Sequence, residues 1–232
     1  MKVEIWSDVM CPFCYIGKRR LELALDKFEH KNEVEITFRT FQLHPDAEKN
    51  TGLSMHEVLS KKMNGTVEQA KRMNNQVALQ ARELGLYYDF DNLIPTNTYD
   101  SLRLSYFAKE HGKMEEMFER MMKAYFVDSL DVGDHRVLAQ LAKEVGLDEG
   151  EALKVLQSDQ YSENLRQDKE DGVKLGIQGV PYFIVNDKYT ISGAQPPETF
   201  LSVLNQAWKE EEEKRSVAPS ANAYCEDGVC KK

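Results

Sequence analysis

Lys2-Val3-Glu4-Ile5-Trp6-Ser7-Asp8-Val9-Met10-Cys11-Pro12-Phe13-Cys14 is the stretch whose reading decides the fold. Val3 and Ile5 alternate with polar neighbours, the period-two pattern of a short strand over Lys2 to Ser7, and that strand feeds directly into a Cys-Pro-Phe-Cys turn. A helix follows, since apolar Leu21, Leu23, Leu25 and Phe28 lie among charges up to about His30 with no Gly or Pro after Gly17. Thiol-disulfide exchange needs one attacking thiolate and a second thiol near enough to resolve the mixed disulfide, and two residues between cysteines on a helical turn supply that proximity. Cys11 stands at the helix entrance, where unsatisfied N–H groups and the positive end of the helix dipole favour a thiolate. It is therefore expected to be the exposed attacker, with Cys14 one turn deeper as the resolving thiol. Pro12 suits the first helical position, where an N–H would have no partner.

Outward from this turn, Val34 to Phe41 alternates with Val34, Ile36 and Phe38 inward, a second strand that ends before Pro45. From Ser54 to about Gly176 the periodicity is helical. Ser54 to Glu57, Thr66 to Gln69 and Asp148 to Glu151 have capping-box spacing, and Gly85, Gly112, Gly146 and Gly176 fall where helices should stop. Strand patterning returns at Tyr182 to Val185 and at Tyr189 to Ile191, with Asn186, Asp187 and Lys188 suiting a tight hairpin. Pro197 then opens a last helix carrying Phe200, Leu201, Leu204 and Trp208, which dissolves into a solvated end at Glu210 to Glu213. The expected class is α/β: a βαβ half and a ββα half with a large all-helical insertion between them. Residues 1–50 and 177–213 form one core, 51–176 the insertion, and 214–232 a polar tail expected to lack order.

The net charge of -9 and the absence of a basic stripe argue against nucleic acid as a partner. No 18-residue apolar run exists, so no membrane span is expected, and Met1 to Ile5 runs straight into a strand without the apolar stretch of a signal peptide. The expected location is the cytoplasm. In that compartment four cysteines serve as cycling thiols rather than staples, and they form two close pairs, Cys11 with Cys14 and Cys225 with Cys230. A zinc site of four thiolates drawn from both pairs is the alternative, against which stand the strand before Cys11 and the helix after Cys14. No metal and no resident cofactor are expected.

Far along the chain, Gly179-Val180-Pro181 immediately precedes a strand. Only X-Pro bonds become cis cheaply, and a cis bond here would let the Val180 backbone offer its N–H and C=O to a substrate strand. A trans proline that merely starts a strand is the plainer reading.

Three stretches together resemble the DsbA-type thioredoxin-fold family, in its FrnE-like cytoplasmic branch. They are Trp6-Ser7-Asp8-Val9-Met10-Cys11-Pro12-Phe13-Cys14-Tyr15-Ile16-Gly17, Phe41-Gln42-Leu43-His44-Pro45 and Gly176-Ile177-Gln178-Gly179-Val180-Pro181-Tyr182-Phe183. The resemblance covers nearly the whole chain. It implies a thioredoxin core split by the helical insertion, a cis Pro181 facing the dithiol, and thiol-disulfide activity. The family's best-known oxidants are exported; a cytoplasmic chain exchanging with a glutathione or thioredoxin pool is expected instead to reduce or isomerise protein disulfides. Glutathione-dependent isomerases and transferases of the superfamily resemble a site built on Ser, whereas this chain keeps both cysteines. Some FrnE-like proteins carry a second pair near the C-terminus, which implies that Cys225 and Cys230 exchange with the first pair. An unstructured tail with incidental or metal-binding thiols stands beside that reading.

A non-catalytic alternative is a holdase that grips unfolded chains through the insertion and the apolar surface around Pro181. Met114, Met117 and Met121 recur at helical spacing, with Met55, Met63, Met73 and Met122 nearby; they suit core packing more than a peptide-binding surface. His44 reads as a structural histidine rather than a partner of the dithiol. Glu4, Asp8 and Asp171 are candidate proton acceptors that sequence does not rank.

Overall fold

A computed structural model describes residues 1–49 and 51–217. Cys225 and Cys230 lie outside the described residues. The chain opens with β1 (Lys2–Ser7), α1 (Pro12–Lys27), a 3-10 turn over Lys31–Glu33 and β2 (Glu35–Thr40). Helices α2 (Met55–Lys62), α3 (Val67–Arg82), α4 (Tyr99–Glu110), α5 (Met114–Phe126), α6 (His135–Glu144), α7 (Glu149–Leu156) and α8 (Ser162–Lys174) follow. The chain then returns as β3 (Tyr182–Val185), β4 (Tyr189–Ser192) and α9 (Pro197–Val217).

The strands form one sheet in the order β2-β1-β3-β4, with β1 and β2 parallel and the other pairs antiparallel. Ile5 lies opposite both Phe38 and Phe183, and Val3 opposite Ile36 and Val185, so the period of two gathers these residues on one face. There Leu21 and Phe28, with Phe200, Leu204 and Trp208 of α9, complete the core. Phe183 meets Phe200 edge-on at 4.8 Å between ring centroids. Trp6 and Ile184 point the other way and pack with Ile177. A Cβ at Gly172 would stand 3.2 Å from the Trp6 ring, so glycine lets α8 approach the sheet closely.

One buried carboxylate ties α8 to β2. Asp168 accepts from the Thr40 N–H and hydroxyl, both at 2.7 Å, and from the Tyr106 hydroxyl, and lies 2.7 Å from Arg39 Nε. Arg39 also reaches Asp171 and lies over the Trp6 ring at 5.0 Å.

Local signals account for most element ends. Ser54 with Glu57 and Thr66 with Gln69 form reciprocal capping boxes, while Asp148 caps in one direction only, accepting from Glu151 N. Gly85, Gly112, Gly146 and Gly176 end their helices with φ of 77°, 68°, 87° and 71°. Asn186 and Asp187 both have positive φ, as a hairpin turn of the type matching strand twist requires. Met114, Met117, Met121 and Met122 are buried on α5 and pack the interior.

The acidic run differs from expectation. Instead of dissolving at Glu210 to Glu213, α9 continues to Val217, because the β3–β4 hairpin supplies partners: Lys188 and Tyr189 donate to Glu210, and Asn186 to Glu211. No helix among the described residues is long and apolar enough to cross a membrane.

Candidate active site

Strand β1 ends at Ser7 beneath the first turn of α1, and the short link between them is built around Asp8. Its backbone carbonyl accepts from Cys11 N at 3.1 Å, and its carboxylate accepts from Met10 N at 3.3 Å and Leu43 N at 2.8 Å. One residue thus closes the turn that presents Cys11 and holds the segment after β2 against it. Asp8 is fully buried; burial pushes its carboxyl up to about 6, and the N–H donors of Leu43, Met10 and Val9 oppose the shift.

Cys11 is the N-cap of α1 and Pro12 its first helical residue. The Cys14 N–H donates to the Cys11 carbonyl at 3.0 Å, which folds the two thiols onto one turn. Both are free thiols in the reduced state. Burial pushes the Cys14 thiol well above the ordinary thiol range, and the adjacent Cys11 adds to this; the Ser7 hydroxyl acts weakly the other way. Cys14 therefore stays protonated until it attacks.

The expected exposure of Cys11 is corrected here. Its relative exposure is 4%, beside 2% for Cys14, because the chain before β3 folds over the helix entrance and the Cys11 thiol donates to the Val180 carbonyl at 3.3 Å. Phe13, between the cysteines, is the exposed side chain of the motif.

The Val180–Pro181 bond is cis. Pro181 O accepts from Gly193 N at 2.8 Å, which anchors the turn to β4. Gly17 on α1 makes room for it: a Cβ there would stand 3.0 Å from Pro181 Cγ and 3.2 Å from the Phe183 ring. The structure thus brings Cys11, Cys14, Val180 and Pro181 together across 169 residues of chain.

His44 pairs with Lys62, with Nε2 and Nζ 2.7 Å apart, and burial and that lysine lower its affinity for a proton. Asp171 is occupied by Arg39. One candidate was named without being ranked, and one residue escaped the sequence reading. Asp8 was only one of three acids there, and the Ser-Asp pair closing a strand before a helix is the signal that could have singled it out. Tyr88, whose hydroxyl donates to Pro12 O at 2.8 Å, gives no local signal. Among the described residues no group of three or more His, Cys, Asp or Glu side chains is arranged to hold a metal ion.

Residues 2–205 match the family model of the DSBA-like thioredoxin domain. A probable DsbA oxidoreductase from Streptomyces coelicolor is 35% identical, with a TM-score of 0.87 and coverage of 100% of this chain and 99% of its own. The uncharacterised protein YwbO of Bacillus subtilis is 29% identical over 212 residues, 89% of this chain and 97% of that protein. The cytosolic disulfide reductase DsbM from Pseudomonas aeruginosa, solved with GSH, shares the fold at 15% identity, with a TM-score of 0.62 over 90% of this chain and all of its own.

Proposed function

The chain belongs to the DSBA-like thioredoxin family, and on that premise we propose that it reduces or isomerises disulfides of polypeptide substrates in the cytoplasm, using Cys11 and Cys14. The observation that carries this reading is the placement of Cys11 at the N-cap of α1 with its sulfur against the Val180 carbonyl. Attack by the sulfur removes the S–H donor that now occupies Val180 O. That carbonyl is then free to accept from the backbone N–H of a substrate strand lying along Val180 and Pro181.

The Cys11 thiolate attacks one sulfur of the substrate disulfide. A Cys11–substrate disulfide forms, the substrate S–S bond breaks, and the departing thiolate takes up a proton. Cys14 gives up its proton and attacks Cys11 Sγ, forming the Cys11–Cys14 disulfide and releasing the second substrate thiol. Two electrons have passed to the substrate. Two glutathione thiols restore the dithiol and leave as glutathione disulfide; a thioredoxin dithiol would do the same. The reluctance of buried Cys14 to ionise prolongs the mixed disulfide, which gives a substrate thiol time to attack in its place, the isomerising branch.

Cys225 and Cys230 enter this scheme as a second pair that reduces the Cys11–Cys14 disulfide and becomes a disulfide itself. Geometry limits how. Met1 N lies 3.7 Å from Glu211 and Arg215 reaches Glu33 at 3.5 Å, so α9 ends beyond the start of β1 while the dithiol stands beyond its end. Strand and helix rise put the two poles roughly 30 Å apart. A fully extended chain from Val217 would reach at most about 29 Å to Cys225 and about 47 Å to Cys230, so Cys230 has the greater reach toward the dithiol.

Turnover of a disulfide-bonded polypeptide, with glutathione as reductant, tests the reading. Wild type is expected to reduce it catalytically and Cys11→Ser not above background. A Cys11→Ser protein that still suppresses aggregation of unfolded chains, paired with a wild type that reduces nothing, would establish a holdase instead.

A further inference from the structure

One carbonyl between the two cysteines, that of Pro12, has a partner from outside the sheet and its helices. Tyr88, between α3 and α4, donates its hydroxyl to Pro12 O at 2.8 Å. The ring is held from the side of the insertion: it stacks on Phe126 with centroids 4.6 Å apart, meets Phe90 edge-on at 5.7 Å and lies 6.2 Å from Tyr15. Asp89 N donates to Phe126 O at 2.7 Å and fixes the backbone beside it. The phenol is pushed up by burial first, the neighbouring Tyr15, Cys11 and Cys14 side chains add to this, and Arg19 opposes it. It therefore remains a hydrogen-bond donor throughout the exchange cycle.

We infer that Tyr88 is a positioning residue for the dithiol, holding the Pro12 carbonyl so that the insertion sets the geometry and the local field of the first turn of α1. Both sulfurs ride on that turn. The Pro12 oxygen is the negative end of a peptide dipole lying between them, and a phenolic O–H bonded to it offsets part of that negative charge. Without the hydroxyl, Cys11 meets a less positive helix entrance and the reduced form loses stability relative to the disulfide. The inference rests on the oxidoreductase reading and adds that the insertion tunes the redox site.

Tyr88→Phe keeps the stacked ring and removes only the donor. Two readouts apply to the full-length protein: the equilibrium constant for reduction of Cys11–Cys14 by glutathione, and the rate of Cys11 alkylation by iodoacetamide at pH 7. Both are expected to fall roughly two- to tenfold, the range that one net hydrogen bond carries. Tyr88→Leu, which also removes the stacking, serves as the comparison. If Tyr88→Phe matches wild type in both readouts while Tyr88→Leu alone departs, the ring only packs and the inference is overturned; it fails equally if neither variant departs. A wild type that does not exchange with glutathione at all strikes the oxidoreductase reading, and the alkylation arm still decides the role of Tyr88.

Discussion

Replacing Asp8 by Asn should change how stability depends on pH, by an amount that follows from its burial. The carboxyl is fully enclosed and pushed from 3.8 up to about 6. A raised folded value means that the native state keeps this proton to higher pH than the unfolded chain. Its contribution is therefore full below about pH 3.8 and is lost as pH rises through about 6. A shift of roughly two units corresponds to about 3 kcal/mol over the whole window, of which about 2 kcal/mol falls between pH 4.5 and 7.5. Asn keeps one oxygen acceptor for Met10 N or Leu43 N and carries no charge, so any fixed cost of the lost acceptor is independent of pH. Urea denaturation of both proteins across that range isolates the effect as a difference, because other acids, such as Asp100, held down to about 2 by Lys49, His135 and Arg103 despite its burial, cancel. The stability of Asp8→Asn relative to wild type should rise by about 2 kcal/mol from pH 4.5 to 7.5. A flat difference, or one that falls, would refute the account of Asp8 as a carboxyl kept in the turn against its burial cost.

Gly17→Val should cost about 1–3 kcal/mol by forcing a side chain into the 3.0 Å approach to Pro181, and should lower substrate turnover as well as the denaturation midpoint. Asp168→Ala leaves Arg39, the Thr40 N–H and the Tyr106 hydroxyl without their buried acceptor, and should destabilise by about 3–5 kcal/mol in chemical denaturation. Truncation after Val217 removes Cys225 and Cys230; it should leave thermal unfolding unchanged and slow re-reduction of the Cys11–Cys14 disulfide, and an unaltered rate with every reductant tried would remove the second pair from the scheme.

The chemistry-bearing turn and the outline of the fold were legible in the sequence because their determinants are local. A strand running into Cys-Pro-Phe-Cys, glycines at helix ends and Asn186-Asp187 between two alternating runs each state their geometry within a few residues. What escaped depends on partners far along the chain. The enclosure of Cys11 comes from a carbonyl 169 residues away, and Tyr88 meets Pro12 across 76. Asp168 reads as one acid among many on a polar helix until the fold brings Thr40 to it across 128 residues. The run from Glu210 looks solvated until the hairpin brings Lys188 and Tyr189 alongside. Burial, which sets the behaviour of Asp8 and Cys14, is a property of the packed whole and has no signature in their neighbours.

The central claim is that Cys11 attacks and Cys14 resolves, and mixed-disulfide trapping tests it most directly. Cys14→Ser incubated with a disulfide-bonded polypeptide should accumulate a covalent complex that dithiothreitol releases, with mass spectrometry placing the link at Cys11. No complex, or one linked through Cys225 or Cys230 while Cys11 stays free, would contradict the account.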